Sequence, residues 1–297
     1  MMSLEMFLTV ALNGLTVGAL YFIVASGFSL TFGLMRTVNM AHGSLYLIGA
    51  YAGITVYNPL YDAGLSYAWV VGMGAGILAA AVAGVLLQWV FLGWMQGQEM
   101  RQTLVTIGLS IIVADQILAV FGGDSQQFFP PDILFASTPL PGVQGGKYPT
   151  FRLFQAVLAI AVALALWLLL QRTRLGAVVR AGVDDRAMLT ACGVNVPLVA
   201  VAVFALGAAL AGLGGVVGGT AQPFGQGKDV QFLLTSLVVV IVGGLGSIGG
   251  TALGAILVGL AEQFGQALIP TYSVILTLLL MVGVLAVRPQ GLLGRKP

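Results

Sequence analysis

Charge is scarce in this chain. Asp, Glu, Lys and Arg supply 7% of its 297 residues, against roughly 25% in soluble domains. The single cysteine, Cys192, excludes an intramolecular disulfide. The single histidine, His42, stands in no metal-ligand or Ser-His constellation. Lys147, Lys228 and Lys296 are the only lysines, and none closes a Gly-x-x-x-x-Gly-Lys-Ser/Thr phosphate loop, so that route to ATP is missing. A net charge of +2 says nothing about nucleic acid, and the basic residues are better explained by membrane topology. The first apolar run is preceded by Glu5 and no basic cluster, which argues against a cleaved signal peptide and predicts a retained first helix.

What the chain does have is apolar length. It is 59% hydrophobic with a mean hydropathy of +1.02, too much apolar surface for one soluble core of this size. Apolar segments fall at about 6–34, 38–57, 66–92, 103–121, 151–171, 196–219, 232–263 and 271–287, several of them reaching the roughly 20 residues that span a bilayer as helix. They are apolar all round, unlike the alternating strands of a membrane barrel. The expected fold is therefore all-α, a polytopic integral membrane helical bundle, with residues 1–297 in one domain. Glycine, at 42 residues, recurs four apart at Gly14/Gly18, Gly49/Gly53, Gly72/Gly76, Gly214/Gly218, Gly246/Gly250 and Gly250/Gly254, spacing that lets helix backbones approach closely in lipid.

The scarce charges mark the topology. Arg172, Arg174, Arg180, Asp184, Asp185 and Arg186 crowd into the loop at about 172–195, and basic loops favour the cytoplasm. Arg288, Arg295 and Lys296 place the tail there too. The two assignments agree only if 232–263, too long for one span, is a hairpin broken at Gly243-Gly244-Leu245-Gly246-Ser247-Ile248-Gly249-Gly250. Counting back puts the Pro-rich loop at about 122–150 outside, Arg36 and Arg101 inside and the N-terminal end outside. The exceptions among the basic residues are Lys147, Arg152 and Lys228. Five prolines in the outer loop forbid a continuous helix there; it is a connector or a docking surface.

Gly176 to Asn195 reads as a short helix closing at Gly193. Val179, Val183, Ala187 and Ala191 make one apolar stripe, with Arg180, Asp184 and Asp185 on neighbouring faces. Such a helix either enters a groove on a cytoplasmic protein or lies at the membrane surface. Asn39 and His42 begin the second apolar segment, as capping and packing groups or as part of a gate. Asp115 and Glu262 are ionisable residues within apolar segments, candidates for function by that fact. Asn13, Thr16 and Tyr21 give the first helix polar positions that could face a pore. Non-helical backbone at membrane depth survives only inside protein or beside water, so the Gly243–Gly250 break is the best pointer to a pathway.

Four stretches share a resemblance. The loop Gly176-Ala-Val-Val-Arg180-Ala-Gly-Val-Asp184, the stretch Leu30-Thr-Phe-Gly-Leu-Met-Arg-Thr-Val-Asn-Met-Ala-His-Gly43, the glycine hairpin Val240–Gly250 and the end Arg288-Pro-Gln-Gly-Leu-Leu-Gly294 resemble the branched-chain amino acid permease family of ABC importers, in order and over nearly the whole chain. Cys192 and Asp115 depart from its pattern. The resemblance implies an inner-membrane transporter subunit, not an enzyme, carrying branched-chain or hydrophobic amino acids. It implies Arg180, Ala181, Asp184, Asp185, Arg186, Ala187 and Gly193 as an ATPase-coupling helix. Asn39, His42, Gly243, Gly244, Gly246, Ser247, Gly249, Gly250 and Glu262 are the candidate pathway or gate. The implied partners are a second permease subunit in a heterodimer, two cytoplasmic ATPases and a periplasmic substrate-binding protein. No cofactor is expected on this chain; ATP is used by partner subunits. Urea or short amides are the alternative cargo, and secondary transport is the alternative mechanism.

Overall fold

A computed structural model describes residues 3–35, 37–95, 97–184 and 186–294. Arg36, Asp185, Arg295, Lys296 and the side chains of Val183, Asp184, Arg186 and Ala187 lie outside the described residues.

Backbone in hydrocarbon must bond to itself, which makes each apolar run a helix. The order is α1 (Leu4–Met35), α2 (His42–Asp62), α3 (Ala68–Leu86, continued by a π-helical turn Leu87–Leu92), α4 (Glu99–Phe121), α6 (Thr150–Arg172), α9 (Val196–Ala221), α10 (Lys228–Gly243), α11 (Ile248–Leu268) and α12 (Ser273–Val287). Between them stand the one-turn α5 (Asp132–Phe135), the strands β1 (Ser137–Pro139) and β2 (Lys147–Pro149), and the short α7 (Arg174–Asp184) and α8 (Arg186–Ala191). Among the described residues, 7 helices are long and apolar enough to cross a membrane, α1, α3, α4, α6, α9, α11 and α12 with their helical extensions.

The break expected inside 232–263 is present. α10 ends at Gly243 and α11 starts at Ile248, with Gly244 and Gly246 at φ +112° and +77° in the turn between them. The two arms are 16 and 21 residues; α10 begins at Lys228, before the apolar run does, and α11 continues past it to Leu268. The helix expected from Gly176 starts at Arg174, where the Thr173 hydroxyl accepts from Gly176 N–H at 3.1 Å. It comes in two pieces, α7 and α8. It closes at Gly193 (φ +79°), whose N–H donates to Thr190 O at 3.0 Å. The outer loop holds an antiparallel β-hairpin, Thr138 opposite Tyr148.

The connections alternate between two ends. At one end Gln144 N–H donates to Thr9 at 2.9 Å, and Gln126 pairs with Phe224 in an isolated bridge. So the start of α1 shares that end with the α4–α6 and α9–α10 connections. At the opposite end Gly246 lies against Gly33, Gly182 against Leu34, and Leu292 N–H donates to Val242 O at 2.9 Å.

Two helices start inside the bundle. His42, the first residue of α2, is wholly buried and bonds Val24 O, more than two turns before α1 ends. The first turn of α10 meets it there: the Asp229 carbonyl sits where a Cβ on Gly43 would go, and Tyr46 stacks on Phe232 at 4.1 Å between ring centres. α2 and α10 follow α1 and α9 at the same interval. α1 packs on α11 as α9 packs on α3. The units α1–α2–α3 and α9–α10–α11 are thus inverted copies of one arrangement, meeting at Tyr46 and Phe232. Small residues let the helices close: α2, α3 and α9 meet at Gly49, Gly76 and Gly212, and α1 crosses α9 at Gly27 and Gly207.

Candidate functional site

The hairpin turn is built from backbone. Gly243 and Gly250 touch through main-chain atoms with no room for a side chain between them. Ser247 caps α11, its hydroxyl accepting from Gly250 N–H at 3.1 Å. The C-terminal carbonyls of α10 would be left without partners by the turn. The segment after α12 supplies two: Leu292 N–H donates to Val242 O and Leu293 N–H to Gly243 O, both at 2.9 Å. Arg288 folds that segment on itself by donating to Leu292 O at 3.1 Å. Gly243, Gly244, Gly246, Ser247, Gly249 and Gly250 therefore gather with Gly33 and Gly291–Gly294 in one cluster at one end.

Beside this cluster, between α1, α6 and the start of α11, lies a cavity of about 830 Å³. Phe22, Leu164, Trp167, Ser247 and Gly249 border it, and so does Arg180 of α7. The Arg180 Nη1 is buried without a hydrogen-bond partner among the described residues. The resemblance implies Arg180 as part of a coupling helix; in the fold its side chain lines the cavity beside the hairpin. Its neighbour Val179 is buried and Gly182 packs on Leu34 and Leu189, so this side of α7 grips the end of α1. The outward side carries Ala181, followed on α8 and after it by Met188, Ala191, Cys192 and Gly193, all exposed. Of the expected stripe, Val179 faces in and Ala191 faces out.

The other candidates lie elsewhere. Asn39 is buried and its side-chain oxygen accepts from Ala41 N–H at 3.0 Å, just ahead of α2. His42 sits edge-on to Phe28 at 5.4 Å, deep between helices. Glu262 stands three turns beyond Gly250 along α11, away from the hairpin turn, accepting from the Tyr21 hydroxyl of α1 and from Gln266. Asp115 is exposed on the outer flank of α4. Asn13 and Thr16 are taken up by the chain itself. Asn13 accepts from Tyr148 at 2.9 Å and from Arg152, while Gln155 donates to Thr16 O at 2.7 Å, tying α1 to α6. Arg152, Tyr148 and Gln155 were not foreseen in this role; their partners lie more than a hundred residues away, where local pattern carries no signal.

Comparison with known proteins gives one answer. The family model described as branched-chain amino acid transport system / permease component matches residues 10–285. The high-affinity branched-chain amino acid transport system permease protein LivH of Salmonella typhimurium is 28% identical over 97% of this chain and 96% of its own length. LivH of Escherichia coli is 28% identical over the same shares. BraD of Pseudomonas aeruginosa, with the same description, is 30% identical over 95% of this chain and 94% of its own. No solved structure matches.

Proposed function

Because this chain belongs to the branched-chain amino acid transport system permease component family, we propose that it is the membrane-spanning subunit of an ATP-driven importer for branched-chain or other hydrophobic amino acids. The observation that carries the reading is the α7–α8 ridge. It stands at the end of the bundle, exposes Ala181, Met188 and Ala191 to one side and grips α1 beside the hairpin turn on the other. A short helical ridge with small and apolar residues outward suits a groove on a partner. A push on it passes by contact to α1 and to the Gly243–Gly250 turn. Inverted repeats with helices that begin inside the bundle are a common way to build alternating access.

Orientation follows from the basic residues. Arg101, Arg172, Arg174, Arg180, Arg186 and Arg288 belong to the hairpin end, while Lys147, Arg152 and Lys228 belong to the other. The hairpin end then faces the cytoplasm of a bacterial inner membrane and receives two ATPase subunits. The opposite end receives the external binding protein, and a second permease subunit completes the pathway.

The test is uptake of labelled leucine by vesicles holding this chain with a second permease, the ATPases and the binding protein. Uptake that needs both internal ATP and the binding protein is expected. Replacing Ala181 by Arg, which puts bulk and charge on the ridge without touching its buried side, is expected to reduce uptake at least about tenfold with normal membrane insertion. Uptake driven by an ion gradient without ATP would remove the ATPases from the reading. ATPase activity stimulated only by urea or an amide would replace the cargo.

A further inference from the structure

The cavity beside the hairpin has one charged corner and apolar walls. Its charge is Arg180, whose Nη1 is cut off from water and from every acceptor of the described chain. A buried guanidinium nitrogen without an acceptor is costly, and among the described residues no Asp or Glu lines the cavity to supply one. The backbone start of α11 lines the same cavity. There Ser247 takes up the Gly250 N–H, and the N–H groups of Ile248 and Gly249 have no acceptor within the helix. They add the positive end of the helix dipole to the guanidinium.

Most of the remaining wall is hydrocarbon, Phe22 and Phe32 from α1 and Ile160, Leu164 and Trp167 from α6, with Gln171 adding one amide. Ile160, Leu164 and Trp167 are 60%, 56% and 52% exposed, so the cavity opens sideways along the exposed length of α6. A free amino acid fits this poorly, since its ammonium group would find no carboxylate. We propose that the cavity holds an anionic phospholipid of the leaflet at the hairpin end, its phosphate on Arg180 and the start of α11, one acyl chain lying along α6. Basic pockets between helices at the membrane interface take phosphate headgroups by the same chemistry. The proposal rests on the cavity and stands independently of cargo and ATPases.

The experiment uses the full chain reconstituted in vesicles of equal parts phosphatidylcholine and phosphatidylglycerol, extracted in mild detergent and weighed intact by native mass spectrometry. Phosphatidylglycerol is expected to be retained in preference to phosphatidylcholine. Arg180→Gln should lower its retention about tenfold, the loss of one charge-assisted hydrogen-bonding partner, while Arg180→Lys keeps most of it. Ala163→Trp, which fills the apolar part and leaves Arg180 alone, should lower it as well; if Arg180→Gln does not fold, this variant and Arg180→Lys decide the matter. Equal retention by Arg180→Gln and the parent, or equal retention of the two lipids, would overturn the proposal. So would displacement of phosphatidylglycerol by inorganic phosphate, which would make the corner a free-anion site, or by leucine, which would give the cavity to the cargo.

Discussion

Tyr21 and Glu262 are the one place where a carboxylate is held inside the span by a side chain of another helix among the bonds described above. The hydroxyl of Tyr21, itself buried, donates to Glu262, so replacing it by Phe strips a donor from a half-buried charge. Tyr21→Phe is expected to cost about 1–3 kcal/mol, read by thermal unfolding in detergent. The double variant with Glu262→Gln should cost less than the sum of the singles by more than about 0.5 kcal/mol; additivity would mean the two groups do not work together. Gly43 makes a second, purely steric prediction. Its missing side chain is what lets the Asp229 carbonyl of α10 approach α2. Gly43→Val should therefore destabilise the chain by about 1–3 kcal/mol or more, with the melting temperature as the readout.

At the scale of elements, the hairpin turn depends on two glycines in left-handed backbone and on a strap from a distant segment. Gly244→Ala or Gly246→Ala should each cost about 1–2 kcal/mol, since φ of +112° and +77° is strained for any side chain. Deleting 288–294 removes the two donors to Val242 and Gly243. Hydrogen exchange at Gly244 and Ser247, whose amides bond back into the turn, should then rise at least about tenfold, while exchange in the middle of α1 stays unchanged. The break itself was legible from sequence because a dense glycine run is a local signal, and so was the closure of α8 at Gly193. The strap, the inward turn of Arg180 and the deep start of α2 were not. A helix that is apolar all round carries no stripe to say which neighbour it faces. Asn13, Tyr148 and Arg152 join through folds of the chain that no window of sequence contains.

For the molecule as a whole, the alternation of connections puts the first turn of α1 and the segment after α12 at opposite ends. A reporter fused ahead of α1 should be active only outside the membrane and one fused after residue 294 only inside it. Both reporters on one side would break the inverted-repeat arrangement as well as the sidedness. The strap also sets an order of events. Gly243 leaves the ribosome about 50 residues before Leu293, a delay of roughly 3–10 s at 5–20 residues per second. Through that interval α10 must sit in the membrane with its last carbonyls uncovered, held by lipid, water or the insertion machinery. The α10–α11 turn is thus completed late in biogenesis, and a chain stalled before residue 292 would present a partly open bundle to the quality-control proteases of its membrane.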